Sequence, residues 1–322
     1  MDYKYSDNTF FIYNLDSIDC THLKNLDDCS RIIFMDTVID KTIDFLPKNL
    51  KHLSISYFNC KFYNIPEIET FELNYESISD IENFEFDLSW LPNSIKCIKI
   101  FSAKFNIHID NLPQYLEKLY IFPWCPFNKP IDNLPQTLKV LCLPHNFNQN
   151  LDNLPANLEI LEITTQNYAF NYEINKLPRG LKTLSLNPEF NKNLDNLPPN
   201  LEKLILSPIY SKFDLYIDNL PIYLVSLTID GYFNKPINFL PCHLQYLYIK
   251  NSRFNQELCN LPKELKELHL GSNTKISKKI ILPENIDKFF LLGKYDGPII
   301  YVSKKIKECR LSQCNHNKVK IY

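Results

Sequence analysis

A leucine–proline step returns along this chain at a nearly fixed interval, and that interval decides what the chain can fold into. The prolines stand at 47, 92, 113, 135, 155, 178, 198, 221, 241, 262 and 283, with Ile65-Pro66 adding another in phase. From Pro92 onward the steps are 21, 22, 20, 23, 20, 23, 20, 21 and 21 residues. Self-similarity at such a period marks an array of small units. None of them can bury its own apolar face, so each must stack on the next copy.

Inside the unit the apolar positions are as regular as the prolines. Leu116, Leu119 and Ile121 follow Pro113 at three, six and eight residues, and the triplet recurs as Leu138/Leu141/Leu143, Leu158/Leu161/Ile163, Leu181/Leu184/Leu186 and Leu201/Leu204/Leu206. After Pro66 it is one residue short, as Ile68/Phe71/Leu73. The last two members alternate with period two, which predicts a short strand with both facing inward. The proline lies outside that strand, where its missing N–H leaves no gap in a ladder. A Phe stands eight residues before successive prolines, at 58, 84, 105, 127, 147, 170, 190, 213, 233 and 254, usually followed by Asn. Stacking predicts that this Phe column is a buried spine. The expected fold is a β-rich, right-handed superhelical solenoid. One parallel sheet of short strands lies on one side, with extended or 3₁₀ segments opposite, because units this short have no room for a helix.

Composition removes several alternatives. The chain has 322 residues and a formal charge of −2, which gives no electrostatic footprint for nucleic acid or an anionic membrane. Its apolar runs, such as Ile299–Val302, are too short to span a bilayer. The N-terminus lacks the pattern of a secretory signal, and no Asn-x-Ser/Thr sequon occurs. The ten Cys are scattered and read as reduced thiols of a cytosolic protein. With only 5 Gly, phosphate-cradling loops are not expected.

The unit F-N-x-x-[IL]-[DN]-x-L-P-x-x-L-x-x-L-x-[IL], seen at its fullest from Phe127 to Pro135, resembles the FNIP repeat, a relative of the leucine-rich repeats. The resemblance runs from about Asp36 to Tyr322. That family is typical of social amoebae and of giant DNA viruses that infect amoebae. It implies a non-catalytic scaffold for protein–protein interaction, monomeric, in the host cytoplasm if viral, with a protein partner and no cofactor. Two alternatives follow from it: a substrate receptor of a ubiquitin ligase, or a structural or packaged virion component. Some viral members carry an F-box before the repeats, but the first Leu-Pro here, Leu46-Pro47, is already in repeat phase. Residues 1–35 read instead as a degenerate cap, because Cys29, Ile32 and Phe34 mimic the strand triplet. Residues 36–294 are the repeats. Residues 295–322 form a degenerate last repeat and cap, with Tyr295-Asp296 in place of Phe-Asn and Ile306/Cys309/Leu311 following Ser303.

Candidate chemistry is sparse. Asp110, Asp132, Asp152, Asp195 and Asp218, with Asn175 and Asn238 in phase, form a column three residues before the prolines. Calcium rolls need Gly-rich turns, so the column is expected to cap its own turns. The Asn after each Phe is expected to hydrogen-bond turn backbones as a ladder. Cys309, Cys314 and His316 lack the second ligand pair that a zinc site needs, and no Cys–His motif suggests a nucleophile. Four residues after the proline, Lys96, Glu117, Lys139, Glu159, Lys182 and Glu202 alternate in charge, as suits stacked strands about 4.8 Å apart.

The remaining freedom lies on the outward face of the strands. Five and seven residues after the proline the residue type changes from unit to unit while the inward columns stay constant. Two aromatic clusters arise there, Phe101/Tyr120/Phe122 and Tyr246/Tyr248/Phe290. Aromatic residues favour interface cores, so these six are the expected protein-binding residues. No catalytic, cofactor or metal residue is expected.

Overall fold

The computed structural model describes the chain except residues 1–2, 7, 14–27, 36–37, 40–42, 44–45, 59–63, 76–87, 164–169, 207–210, 251–252, 273, 312–317 and 322. It divides into two compact units, residues 1–149 with 153–158, and residues 150–152 with 159–322. Each is a stack of parallel strands, and among the described residues there is no α-helix.

In the first unit the strands Thr9–Ile12, Arg31–Phe34, His52–Ile55, Thr70–Tyr75, Cys97–Ser102, Lys118–Ile121 and Val140–Leu143 pair in that order, all parallel. Tyr3–Ser6 precedes them and pairs antiparallel with Thr9–Ile12. Asn8 closes that hairpin at φ 57°, a region Asn tolerates better than most residues. In the second unit Ile160–Ile163, Thr183–Leu186, Lys203–Leu206, Ser226–Asp230, Tyr246–Lys250, Glu267–Leu270, Lys288–Leu291 and Glu308–Leu311 pair likewise. Each unit is a parallel β-solenoid.

The proline sets up each strand. Its carbonyl accepts the N–H of the apolar residue three positions on, as from Leu116 to Pro113 at 3.1 Å and from Leu244 to Pro241 at 3.1 Å. The turn delivers that residue to the core and aims the next two inward positions after it. Where the unit is one residue short, the turn contracts: Ile68 N–H reaches Pro66 O at 2.8 Å, two positions back. Ser303 stands in for proline in the last unit, with Ile306 N–H on its carbonyl at 3.1 Å.

Inward side chains form continuous columns. Leu116, Leu119, Ile121, Leu138, Leu141 and Leu143 are fully buried, as are Leu224, Leu227 and Ile229. The Phe spine is as expected: Phe105, Phe127 and Phe147 stack in the first unit with ring centroids 5.8 and 6.2 Å apart. In the second, Phe170, Phe190, Phe213, Phe233 and Phe254 stack at 6.1–6.5 Å. Ile276 and Tyr295 continue it, pairing in the short parallel strands Lys275–Ile276 and Lys294–Tyr295. Phe84 lies outside the described residues, as does the side chain of Phe58. Cys309 takes the inward register opposite Phe289 but is exposed: it belongs to the outermost strand of its unit, and inward register buries a side chain only when another coil stacks on it.

Candidate binding face

Two polar columns prove to be joints between coils. The Asn after each Phe offers its side-chain carbonyl forward: Asn106 Oδ1 accepts the N–H of Asn128, and Asn128 Oδ1 that of Asn148, at 2.9 and 2.8 Å. In the second unit the run goes from Asn171 to Asn191, and from Asp214 through Asn234 and Asn255 to Ser277. The Asp column departs from the sequence expectation that it caps its own turns. Asp110, Asp132 and Asp195 instead accept a side-chain amide from Asn133, Asn153 and Asn219 of the next coil, at 3.1, 2.9 and 2.8 Å. Own-turn capping falls to Asn150 and Asn193, whose Oδ1 atoms accept the N–H of Asp152 and Asp195. Asp152 is bound by Lys176 at 2.8 Å, which holds its carboxyl below the usual range. At Asp110, Asp132, Asp152 and Asp195 the column thus ties neighbouring coils together.

The remaining chemistry candidates are equally quiet. Among the described residues, no three His, Cys, Asp or Glu side chains gather as a metal-ligand set. Cys314 and His316 lie outside the described residues. Burial pushes the Cys29, Cys97 and Cys125 thiols up, which disfavours the reactive thiolate. The charge column pairs along the stack, Lys139 with Glu117 at 3.0 Å and Lys182 with Glu159 at 2.8 Å.

The outward face of the strands is where residues vary. In the first unit Phe101 and Phe122 stack, with centroids 3.6 Å apart and planes 25° apart. Tyr120 lies in register beside Lys99. Next along that row sits Glu72, buried on the face and ringed by basic side chains. Lys99 Nζ is 2.7 Å from its carboxylate, His52 Nε2 3.2 Å and the Arg31 guanidinium 3.7 Å. Burial pushes this carboxyl up, but the hydrogen bonds and charges of His52 and Lys99 outweigh it and hold it at about 2. Nothing in the repeat pattern announces Glu72; reading residue types along a row of the face would have found it between Ser54 and Lys99.

In the second unit the cluster Tyr246/Tyr248/Phe290 includes a member that the sequence reading left out. His269 packs between Tyr248 and Phe290, with ring centroids 4.8 and 4.0 Å away, and its Nε2 lies 2.6 Å from Glu267. Phe290 is only 7% exposed, beside His269 and under Arg310 at 5.4 Å. It therefore backs the cluster and presents little open surface. Burial and the Glu267 carboxylate raise the Tyr248 phenol to about 12. Tyr246 and Tyr248 line a trough of about 590 Å³ on the face. At the end of the trough's central strand lies Asp230, fully buried. Its Oδ1 accepts the Gly231 N–H at 2.5 Å, while Oδ2 has no hydrogen-bond partner. Burial pushes this carboxyl up to about 6. Gly231 sits at φ 81°, where a Cβ would meet the Ser211 carbonyl oxygen at 2.0 Å, so the bend after Asp230 requires glycine.

No protein-family description matches the chain, and no curated protein matches it by sequence. Among the solved structures that align with the chain are two with low TM-scores. CroV588, described as a novel circular leucine-rich-repeat protein, aligns over 100% of this chain and 67% of its own at 19% identity, with a TM-score of 0.47. YopM from Yersinia enterocolitica aligns over 98% and 91% at 16% identity, with a TM-score of 0.33.

Proposed function

We propose that this chain is a non-catalytic repeat scaffold that binds a partner protein through the outward face of its strands. One observation carries the reading. The inward, turn and ladder columns are all explained by stacking, whereas the strand face combines changing residue types with half-buried aromatics and a trough. Phe101, Tyr120 and Phe122 in one unit, and Tyr246 and Tyr248 in the other, are the anchors, with Phe290 as backing. The FNIP-like unit supports the same class of function and favours a viral protein acting in amoebal cytoplasm, with residues 1–35 and 295–322 as caps. A buried aromatic anchor commonly accounts for 2 kcal/mol or more of an interface while most contacts contribute little.

The test is retention of a partner on immobilised protein, followed by calorimetry with the purified partner. Tyr120→Ala or Tyr248→Ala should weaken binding at least tenfold, about 1.4 kcal/mol, with the thermal midpoint little changed. Asp132→Asn should leave affinity unchanged. Loss of binding in Asp132→Asn with both tyrosine variants intact would place the site on the turn side and refute the proposal.

A further inference from the structure

The trough in the second unit exists because of side-chain size along two rows. On the strand Ser226–Asp230 the outward residues Ser226 and Thr228 are small. Their in-register neighbours are Lys203 and Ile205 on one side and Tyr246 and Tyr248 on the other. Small residues between large ones leave a gap two strand spacings wide, roughly 10 Å, with two hydroxyls on its floor.

Several lysines of the unit are paired along the stack, whereas the two that border the trough are not. Lys182, Lys212, Lys288 and Lys307 each have a carboxylate of a neighbouring coil within ion-pair distance. Lys203 and Lys250, which border the trough, have none among the described residues. Lys250 lies over the Tyr248 ring at 5.5 Å. Of the nearby acids, Glu202 at the lip lies within electrostatic reach of Lys182, Glu267 is taken by Lys288, and Asp230, in register beside Lys250 and within its electrostatic reach, is buried beneath the surface.

We propose that this trough receives a single acidic side chain, glutamate or aspartate, from an extended segment of the partner protein. The carboxylate lies between the Lys203 and Lys250 ammonium groups and accepts hydrogen bonds from the Ser226 and Thr228 hydroxyls. Its methylenes run along Ile205 and Val225, and the flanking peptide crosses the tyrosine rings. A basic side chain is repelled by both lysines. A neutral one leaves both unmatched. A polyanion such as nucleic acid gains little, since affinity there grows with the number of cations engaged and Glu202 stands at the lip. The assignment rests on the strand-face reading above and narrows it to one chemistry.

A peptide array tests it with the full chain as probe. Ten-residue peptides carry a central Glu, Asp, Gln, Lys or phosphoserine in neutral flanks, and a ten-nucleotide oligothymidine is measured alongside. Glu and Asp peptides should bind at least fivefold better than the Gln peptide. Lys203→Gln and Lys250→Gln should each remove most of that preference, and Lys182→Gln should not. Equal binding of Gln and Glu peptides, a Glu preference that survives the double variant, no acidic binder at all, or tighter binding of the phosphoserine peptide or oligothymidine would each overturn it. If the array fails while Tyr248→Ala still costs tenfold against the purified partner, only the acidic-side-chain assignment falls. If neither Tyr120→Ala nor Tyr248→Ala affects that partner, the strand-face reading falls as well.

Discussion

On the strand Lys203–Leu206, Leu204 and Leu206 look inward and meet Leu227 and Ile229 of the next coil, while Lys203 and Ile205 look outward and meet Ser226 and Thr228. The two faces share a backbone and a register, yet one repeats and the other does not. Inward, each residue is both knob and socket for its own kind, so a change in one coil must be matched in two others. Outward, a residue answers only to its immediate neighbours, and those decide even its ionisation. Glu72 and Asp230 are both buried outward carboxylates. The first has Lys99, Arg31 and the His52 ring about it and sits at about 2; the second has one unpartnered oxygen and sits at about 6. Burial acts on both in the same direction, so the difference lies in what adjacent coils present.

The sharpest test of the inward rule is Phe190→Ala, which opens a cavity between Phe170 and Phe213. It should cost roughly 3–5 kcal/mol in a denaturant titration. A loss under about 1 kcal/mol would mean that the spine tolerates a gap and that the faces differ less than their packing implies. The next two tests address the outward face. Glu72 has a folded carboxyl below the ~4.3 of an unfolded glutamate, so its contribution is present above that value and is lost as pH falls toward 2. Glu72→Gln should therefore destabilise by about 3 kcal/mol at pH 7, with the gap from wild type closing in acid. A gap independent of pH would point to packing and not charge.

Asp230 has the opposite sign. Its folded carboxyl lies above the ~3.9 of an unfolded aspartate, so the fold favours the protonated form, and stability declines as pH rises from about 4 to 6 and then levels. Asp230→Asn should gain up to about 3 kcal/mol at pH 7.5 and little near pH 4, read as the thermal midpoint across that range. A loss of stability at pH 7.5 would show that the ionised carboxylate is matched after all.

Much of the scaffold can be read from the spacing of prolines and leucines. The strand triplets, the Phe spine, the shortened unit after Pro66 and the substitute turn at Ser303 all follow from one period, because identical residues in adjacent coils must be partners. Legibility ends where columns stop repeating. The Tyr3–Ser6 hairpin lies outside the period. The Asp column repeats, but its bonding to the next coil depends on the Asn one place further on, which own-turn capping ignores. His269 is polar by type and joins the aromatic cluster only through its position between Tyr248 and Phe290. The trough comes from the small size of Ser226 and Thr228, visible in the sequence only when side chains are compared across strands.

The asparagine ladder ends in a telling way. It runs forward to Ser277, whose N–H donates to Asn255 Oδ1, and the next coil is joined instead by main chain: Lys294 N–H to Thr274 O at 2.9 Å and Asp296 N–H to Ile276 O at 3.0 Å. The side-chain amide thus does the work of a peptide carbonyl wherever the turn backbone cannot approach its neighbour. Each ladder coil supplies an acceptor and consumes one, so an extra in-frame copy of a whole unit would find its partners ready on both sides. Such a chain can change length by duplication or loss of a gene segment without inventing a contact, and its outward residues are then free to diverge copy by copy.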